Sequence, residues 1–330
     1  MPKLWFSYSF PPGMTLDSPE PNRSPYHHTW HLGRFLRDKA RELGYEFEYV
    51  NLDSTDPVTI GEDDICIYHA WFTEGCFSLQ VTEQPCKAKF IVQPYTEQMV
   101  GKEALPLLHK QWGHADHLFL NTGPWWFDRL PRSDYAHYYE KSTRLDNTVN
   151  PDLHPFSKTK WNEAGKRGFF TIGYDNPIKG MDKVEELARV GGLRLLHLGN
   201  VSDGFWQHVP QATSMSGLEF MPHTIEWLCE HYDFFITMGR FDANPTALSE
   251  TALWGLIPCC TPQCGYYPNE PFIGLDLDDL VHNLDIVEWL QYAPAPELVH
   301  HQHRIREHVL EQHRFDTRIK TIWDKITEWL

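Results

Sequence analysis

The chain has 330 residues, enough for two domains of ordinary size, and is 41% hydrophobic and 14% aromatic, which supports sizeable cores. Its 29 Lys and Arg against 45 Asp and Glu leave a net charge of −16 with no basic run, which argues against a protein held on nucleic acid by phosphate contacts. The start, MPKLWFSYSFPPG, lacks a signal-peptide core and no apolar run approaches about 18 residues, so a cytoplasmic chain without a transmembrane segment is expected.

Lys3–Ser9 (KLWFSYS) reads as a first strand, followed by a Pro- and Gly-rich loop from Pro11 to Pro25. Tyr26–Leu43 reads as a helix with Trp30, Phe35, Leu36 and Leu43 near one face, ended by Gly44. Glu46–Leu52, Asp64–His69 (DICIYH), Phe90–Gln93 (FIVQ) and His117–Leu120 (HLFL) read as strands, and their alternation with helical stretches implies a parallel sheet. Pro124–Asp134 (PWWFDRLPRSD) reads as loop with no compact helix. Trp125 and Trp126 there either offer flat rings to the C–H face of a sugar or, the simpler account, are buried.

After Asn150 the pattern restarts. Gly168–Ile172 is a strand, Met181–Val190 a helix, Leu193–Leu198 a strand ending at Gly199, Thr224–His231 a helix and Asp233–Met238 a strand. Pro296–Leu330 carries Ile305, Val309, Leu310, Ile319, Ile322, Trp323, Ile326 and Trp329 at roughly helical spacing. The expectation is two doubly wound domains, residues 1–150 and 151–314, with a last helix near 315–330 returning to the first. Their ligand is expected in the crevice at the carboxyl ends of the strands.

Asp242–Pro258 (DANPTALSETALWGLIP) is the densest segment. An acid and a Pro-containing turn precede LSETALW, with Gly255 at the C-cap position and Pro258 beyond it. Such a strand-to-helix turn offers unpaired N–H groups and a positive dipole end to a phosphate. Seven cysteines include Cys259, Cys260 and Cys264, whose spacing lacks the paired CxxC of structural zinc, so reduced thiols and no metal are expected. Nineteen His make the charge pH-sensitive without implying a role for most of them.

Four pieces in order resemble the retaining GT-B glycosyltransferases, glycosyltransferase family 4 in particular: NTVNPDLHPF, GFFTIGYDNPIKGMDKVEELAR, LRLLHLGN and DFFITMGRFDANPTALSETALWGLIP. The resemblance covers roughly Asn147 to the C-terminus and, more loosely, the first half. It implies two Rossmann-like domains facing a central cleft, and transfer of a sugar from a nucleoside-diphosphate sugar, UDP- or GDP-linked, to a hydroxyl acceptor without a metal or other cofactor. The acceptor is a glycan, a lipid or a small molecule.

Residue by residue, the resemblance makes Lys179 the cation on the leaving diphosphate, Glu250 the acid on the ribose and Asp242, one methylene shorter than the family's glutamate, the acid touching the donor sugar. Gly173 and Gly199 end the two strands, the backbone near Met221–His223 lies beside the base, and Asn244, Pro245, Thr246 and Ala247 form the turn facing sugar and diphosphate. Read without the resemblance, Lys179 is a solvated lysine and Glu250 a helix-surface acid.

Tyr174 stands where the family has an arginine, and Arg240 is the nearest candidate in sequence to replace that charge. In the first half, Gly13 is either the phosphate-loop glycine or a simple turn, and His69 either a site residue or a rim residue. Gln93 stands where the family often has a histidine, and can bond a hydroxyl but cannot act as acid or base. Two other readings follow from the departures: a non-catalytic GT-B protein that binds nucleotide or glycan, and an enzyme glycosylating modified DNA bases.

Overall fold

A computed structural model describes residues 1–11, 13–21, 26–96, 105–174, 176–217 and 219–330. Pro12, Pro25 and Asp175 of the expected loops lie outside the described residues. The chain divides into two compact units: Met1–Thr122 with Phe127–Asp146 and Phe315–Leu330, and Gly123–Trp126 with Asn147–Arg314.

The first unit opens with β1 (Lys3–Tyr8), α1 (Tyr26–Glu42), β2 (Glu46–Asn51), β3 (Ile65–Tyr68), α2 (Phe77–Glu83), β4 (Ala88–Pro94), α3 (Leu105–His114) and β5 (His117–Asn121). β6 (Ser142–Leu145) follows, and the four-residue turn of helix between β5 and β6, α4 (Pro124–Phe127), belongs to the second unit except for Phe127. The six strands are all parallel, in the order β2-β1-β3-β4-β5-β6. The apolar runs ICIY and HLFLN are buried along their whole length, as a sheet covered on both faces requires. On α1 the buried stripe is Leu32, Leu36 and Ala40, with Trp30 and Phe35 half-buried. Leu43, expected on that face, lies past the helix end and is 46% exposed.

The second unit contains β7 (Phe169–Ile172), α5 (Met181–Gly191), β8 (Leu195–Leu198), β9 (Ala212–Met215), α6 (Pro222–His231), β10 (Phe234–Thr237), α7 (Thr246–Trp254), β11 (Ile257–Cys260), β12 (Ile273–Gly274), α8 (Leu280–Tyr292) and α9 (Ala295–Gln312). Its six parallel strands run β12-β11-β10-β7-β8-β9. Met181, Val184, Leu187 and Ala188 of α5 are buried at helical spacing, each large side chain contributing about 1.5–3 kcal/mol. The last helix, α10 (Phe315–Thr327), lies in the first unit and adds Ile322 and Ile326 to its core beside Leu32 and Leu36.

Both units are doubly wound. In the first, the chain goes from β1 outward to β2 and then returns to β3 on the other side; in the second it goes from β7 to β8 and β9 and then returns to β10. The order therefore reverses between β1 and β3 and between β7 and β10, where the loops leaving the carboxyl ends diverge and open a crevice. The expectation of no helix in Pro124–Asp134 is corrected: α4 and a 3-10 turn at Leu130–Arg132 form there, started by Pro124 and Pro131 at positions where proline's missing N–H costs nothing. Cys259 and Cys260 lie in the buried strand β11, and all seven cysteines are unpaired. Among the described residues no group of three or more metal-ligating side chains occurs, and no helix is long and apolar enough to cross a membrane.

Candidate functional site

A polar constellation of the second unit sits at its strand-order reversal. β7 ends at Ile172 and runs into Gly173, whose amide donates to the Leu198 carbonyl at 3.0 Å. Gly199, ending β8, has φ 141°, and a Cβ there would stand 1.9 Å from the Gly173 oxygen. Only glycine permits that approach. His197 Nε2 donates to the same Gly173 oxygen at 3.0 Å while Nδ1 accepts from Ser214 Oγ at 2.9 Å, and burial holds the ring below its ordinary pKa. A neutral imidazole thus fixes the Gly173 turn, a role that one histidine among nineteen did not announce.

After Gly173 a 3-10 turn, Pro177–Lys179, capped by the Asn176 side chain, leads to Gly180 in the left-handed region at φ 60°. A Cβ on Gly180 would stand 1.8 Å from the Met238 oxygen, so this turn packs directly on the end of β10. That contact brings Lys179 to Asp242, the loop acid after β10: Nζ to Oδ2 is 2.5 Å. Burial disfavours the ammonium, but the charge and hydrogen bond of Asp242 outweigh it and hold the Lys179 pKa above its usual value.

Asp242 is followed by the tight turn that starts α7. Asn244 is buried and its Oδ1 accepts from the Tyr266 hydroxyl at 2.6 Å, while its carbonyl accepts from the Asn147 amide. Pro245 is the N-cap and brings no side-chain acceptor; Thr246 and Ala247 open the first turn, and the Leu248 N–H donates to the Pro245 carbonyl at 3.1 Å. Four residues on, Glu250 lies on the same face as Thr246, roughly 6 Å along the axis. Among the described residues no hydrogen bond or ion pair reaches its carboxylate, and burial alone raises its pKa from 4.5 to about 7. Gly255 ends the helix at φ 91°, the left-handed cap that the sequence foretold.

The remaining residues of the resemblance are spread around this centre. Tyr174 is 54% exposed at the lip of the β7 turn. Arg240, the nearest candidate in sequence to replace the family's arginine, has its guanidinium forked on Asp182 of α5, at 2.6 and 2.5 Å, and Nη1 also donates to the Pro177 carbonyl at 3.1 Å. Asp182, one turn below Lys179, was the stronger partner for a planar fork. Met221 is the exposed N-cap of α6 and His223 an exposed residue of its first turn.

In the first unit, His69 follows β3 and lies at the reversal between β1 and β3, with its ring edge-on to Tyr8 at 5.1 Å. Its Nδ1–H donates to the Val92 carbonyl at 2.9 Å, and burial lowers its pKa to about 4, so it is neutral at physiological pH. Gln93 is buried at the end of β4 with its Oε1 unpartnered among the described residues. Gly13 is exposed at φ 81°, and nothing among the described residues lies within 4 Å of where its Cβ would be. Arg318 of α10 was not foreseen as a polar core residue: it is buried and donates to Asn121 Oδ1 and the Asp146 carbonyl at 2.8 and 2.7 Å. Trp126 is buried, as the simpler account had it, whereas Trp125 is half-buried.

No protein-family profile and no curated protein sequence matches the chain. Solved structures do. A sucrose-phosphate synthase from Thermosynechococcus elongatus is similar with a TM-score of 0.66 at 11% identity over 99% of both chains. An α-glucosyltransferase in complex with UDP and a 13-mer DNA containing an HMU base is similar at 0.57 and 11% identity, over 98% of this chain and 99% of that one. TarM is similar at 0.61 and 11% identity over 82% of this chain; the match spans 55% of TarM, about half of its length. At such identities the likeness is one of fold: these neighbours are GT-B glycosyltransferases, and the two doubly wound parallel sheets of this chain form that α/β architecture.

Proposed function

We propose that the protein is a retaining, metal-independent glycosyltransferase that moves a sugar from a nucleoside-diphosphate sugar, UDP- or GDP-linked, to a hydroxyl acceptor. The observation that carries this reading is the pairing of a phosphate-type cradle with a carboxylate that no donor among the described residues reaches. The first turn of α7, where the N-cap Pro245 offers no side-chain acceptor, and Lys179 suit a diphosphate, and Glu250, half-buried and reached by no donor among the described residues, lies one turn along the same helix face and suits a pair of ribose hydroxyls. An acid raised to about 7 by burial alone is an unstable arrangement that a ligand's hydroxyl donors would relieve.

In the reaction, the bond from the anomeric carbon to the phosphate oxygen breaks and a bond from the acceptor oxygen forms on the same face. The acceptor's proton passes to the departing phosphate. Lys179 and the α7 N-terminus offset the negative charge that develops on the diphosphate, Asp242 bonds the donor sugar, and the backbone near Met221 and His223 lies beside the base. No protein base is called for, which is consistent with a neutral His69 tied to Val92 and with Gln93.

Thermal-shift titration of wild type and Glu250→Ala with UDP, GDP, ADP, CDP and TDP tests the site. A nucleotide at one hundred times its Kd adds about 2.7 kcal/mol, and the reading requires that one of them stabilise wild type and not the variant. The exposed Tyr174 and the engagement of Arg240 by Asp182 favour a second reading, a GT-B protein that binds nucleotide without turnover. Release of sugar, or of nucleoside diphosphate from a donor, eliminates it. Transfer to a modified base in DNA predicts retention on a DNA column at about 50 mM salt, against the net charge of −16.

A further inference from the structure

Three stretches of backbone meet beside Asp242 with no space for side chains between them. Gly123 donates its amide to the Ala243 carbonyl and Trp125 to the Gly265 carbonyl, both at 2.9 Å. Trp126 Nε1 donates to the Gln263 carbonyl at 2.9 Å, across 137 positions of sequence, and its ring lies 6.2 Å from that of Phe241. A Cβ on Gly123 would stand 2.1 Å from the Gly265 oxygen, and one on Gly265, itself at φ 100°, would stand 2.4 Å from the Ala243 oxygen. The other flank is secured too: Thr261 Oγ1 donates to the Gly239 carbonyl at 2.8 Å, and Tyr266 bonds Asn244. Asp242 is thus pinned through its neighbours on both sides, by a segment that follows β5 in the chain and by the loop after β11.

We propose that Gly123, Trp126 and Gly265 are positioning residues, a clamp that fixes the Asp242 loop so that its carboxylate stays on Lys179. Its consequence for catalysis rests on the glycosyltransferase reading above; the clamp itself does not. A carboxylate held 2.5 Å from the ammonium keeps Lys179 charged and aimed, whereas a loop free to swing would leave the lysine partly neutral in a half-buried place.

The test is the reactivity of Lys179 in the full chain, since only a neutral amine is acylated. Wild type, Gly123→Ala and Trp126→Phe are treated with N-hydroxysuccinimidyl acetate, and the labelling rate of each lysine is read by mass spectrometry. The clamp predicts that Lys179 is labelled about fivefold faster in Gly123→Ala, and faster than wild type in Trp126→Phe, which removes only one N–H. Lys183 serves as the reference. The fully buried Lys158 must stay protected, showing that the fold is intact. Gly113→Ala, where nothing lies within 4 Å of the added carbon, must leave every rate unchanged. A Lys179 rate equal to wild type in Trp126→Phe, with Gly123→Ala equal to wild type or unfolded, overturns the clamp. UDP and GDP thermal shifts on wild type run alongside: their absence would count against the donor-site reading alone.

Discussion

Glu250 makes the sharpest test of the site, because burial without a partner is costly in a way that depends on pH. The folded protein holds this proton up to about pH 7, while the unfolded chain releases it near 4.5. A raised carboxyl pKa means that the unfolded state loses its proton first, so stability is complete below about pH 4.5 and declines as pH rises through 7. The full difference amounts to roughly 3 kcal/mol, an upper figure because the side chain keeps some contact with solvent. Glu250→Gln removes the charge and keeps the shape. It is expected to leave Tm almost unchanged at pH 4.5 and to raise it by roughly 6–10 °C at pH 8, at about 2–4 °C per kcal/mol. The same variant should lose nucleotide affinity at pH 8, and wild-type affinity should fall relative to the variant's as pH drops below about 7, where the carboxylate protonates. The assay is thermal unfolding across pH 4.5–8.5 for both proteins, with and without nucleotide. Parallel Tm curves for the two would show that Glu250 is adequately solvated or paired, and the argument for a ligand-seeking acid would fail.

Lys179→Ala should lower turnover by tenfold or more, equivalent to about 1.4 kcal/mol, with donor KM changing less; steady-state kinetics that show a smaller loss would remove its role on the leaving group. Lys158 and Asp233 form a fully buried ion pair at 2.7 Å, with Lys158 also donating to the Cys229 and Tyr232 carbonyls at 2.8 and 3.0 Å. Lys158→Ala should therefore cost about 3–5 kcal/mol in urea unfolding by stranding Asp233, and a cost below about 1 kcal/mol would mean that water replaces the lysine. Gly199→Ala must open the Gly173–Gly199 contact or shift the chain, and should destabilise by more than about 2 kcal/mol; a near-neutral result in the same assay would show that the contact yields easily.

The amino-acid sequence by itself carried the alternation of strand and helix, the doubly wound class and the punctuation of individual elements. KLWFSY, ICIY, HLFLN and FFIT are apolar runs whose burial needs no knowledge of their neighbours, and Gly255 marks a helix end whatever surrounds it. Where local patterning is weak it was silent. STRL and ATSM form β6 and β9 at sheet edges, half-buried or exposed except for the buried Leu145, so neither run is apolar enough to stand out. Pro258 looked like the stop after a helix, yet it sits within the buried strand β11: Ile257 donates toward β10, at the Asp233 carbonyl, so the nitrogen of Pro258 faces the other side, where β12 pairs only with Cys259 and Cys260. The candidate site divides in the same way. Its residue types could be read from spacing, but not their partners: Lys179 meets Asp242 across 63 positions only because Gly180 packs on the end of β10. Arg240 turns to Asp182 because α5 presents a carboxylate there, and no donor among the described residues reaches Glu250. Periodicity reports which face of an element is buried. Which charges meet, and which are left without a partner, depends on how the loops cross at the sheet's carboxyl edge, and that is decided in three dimensions.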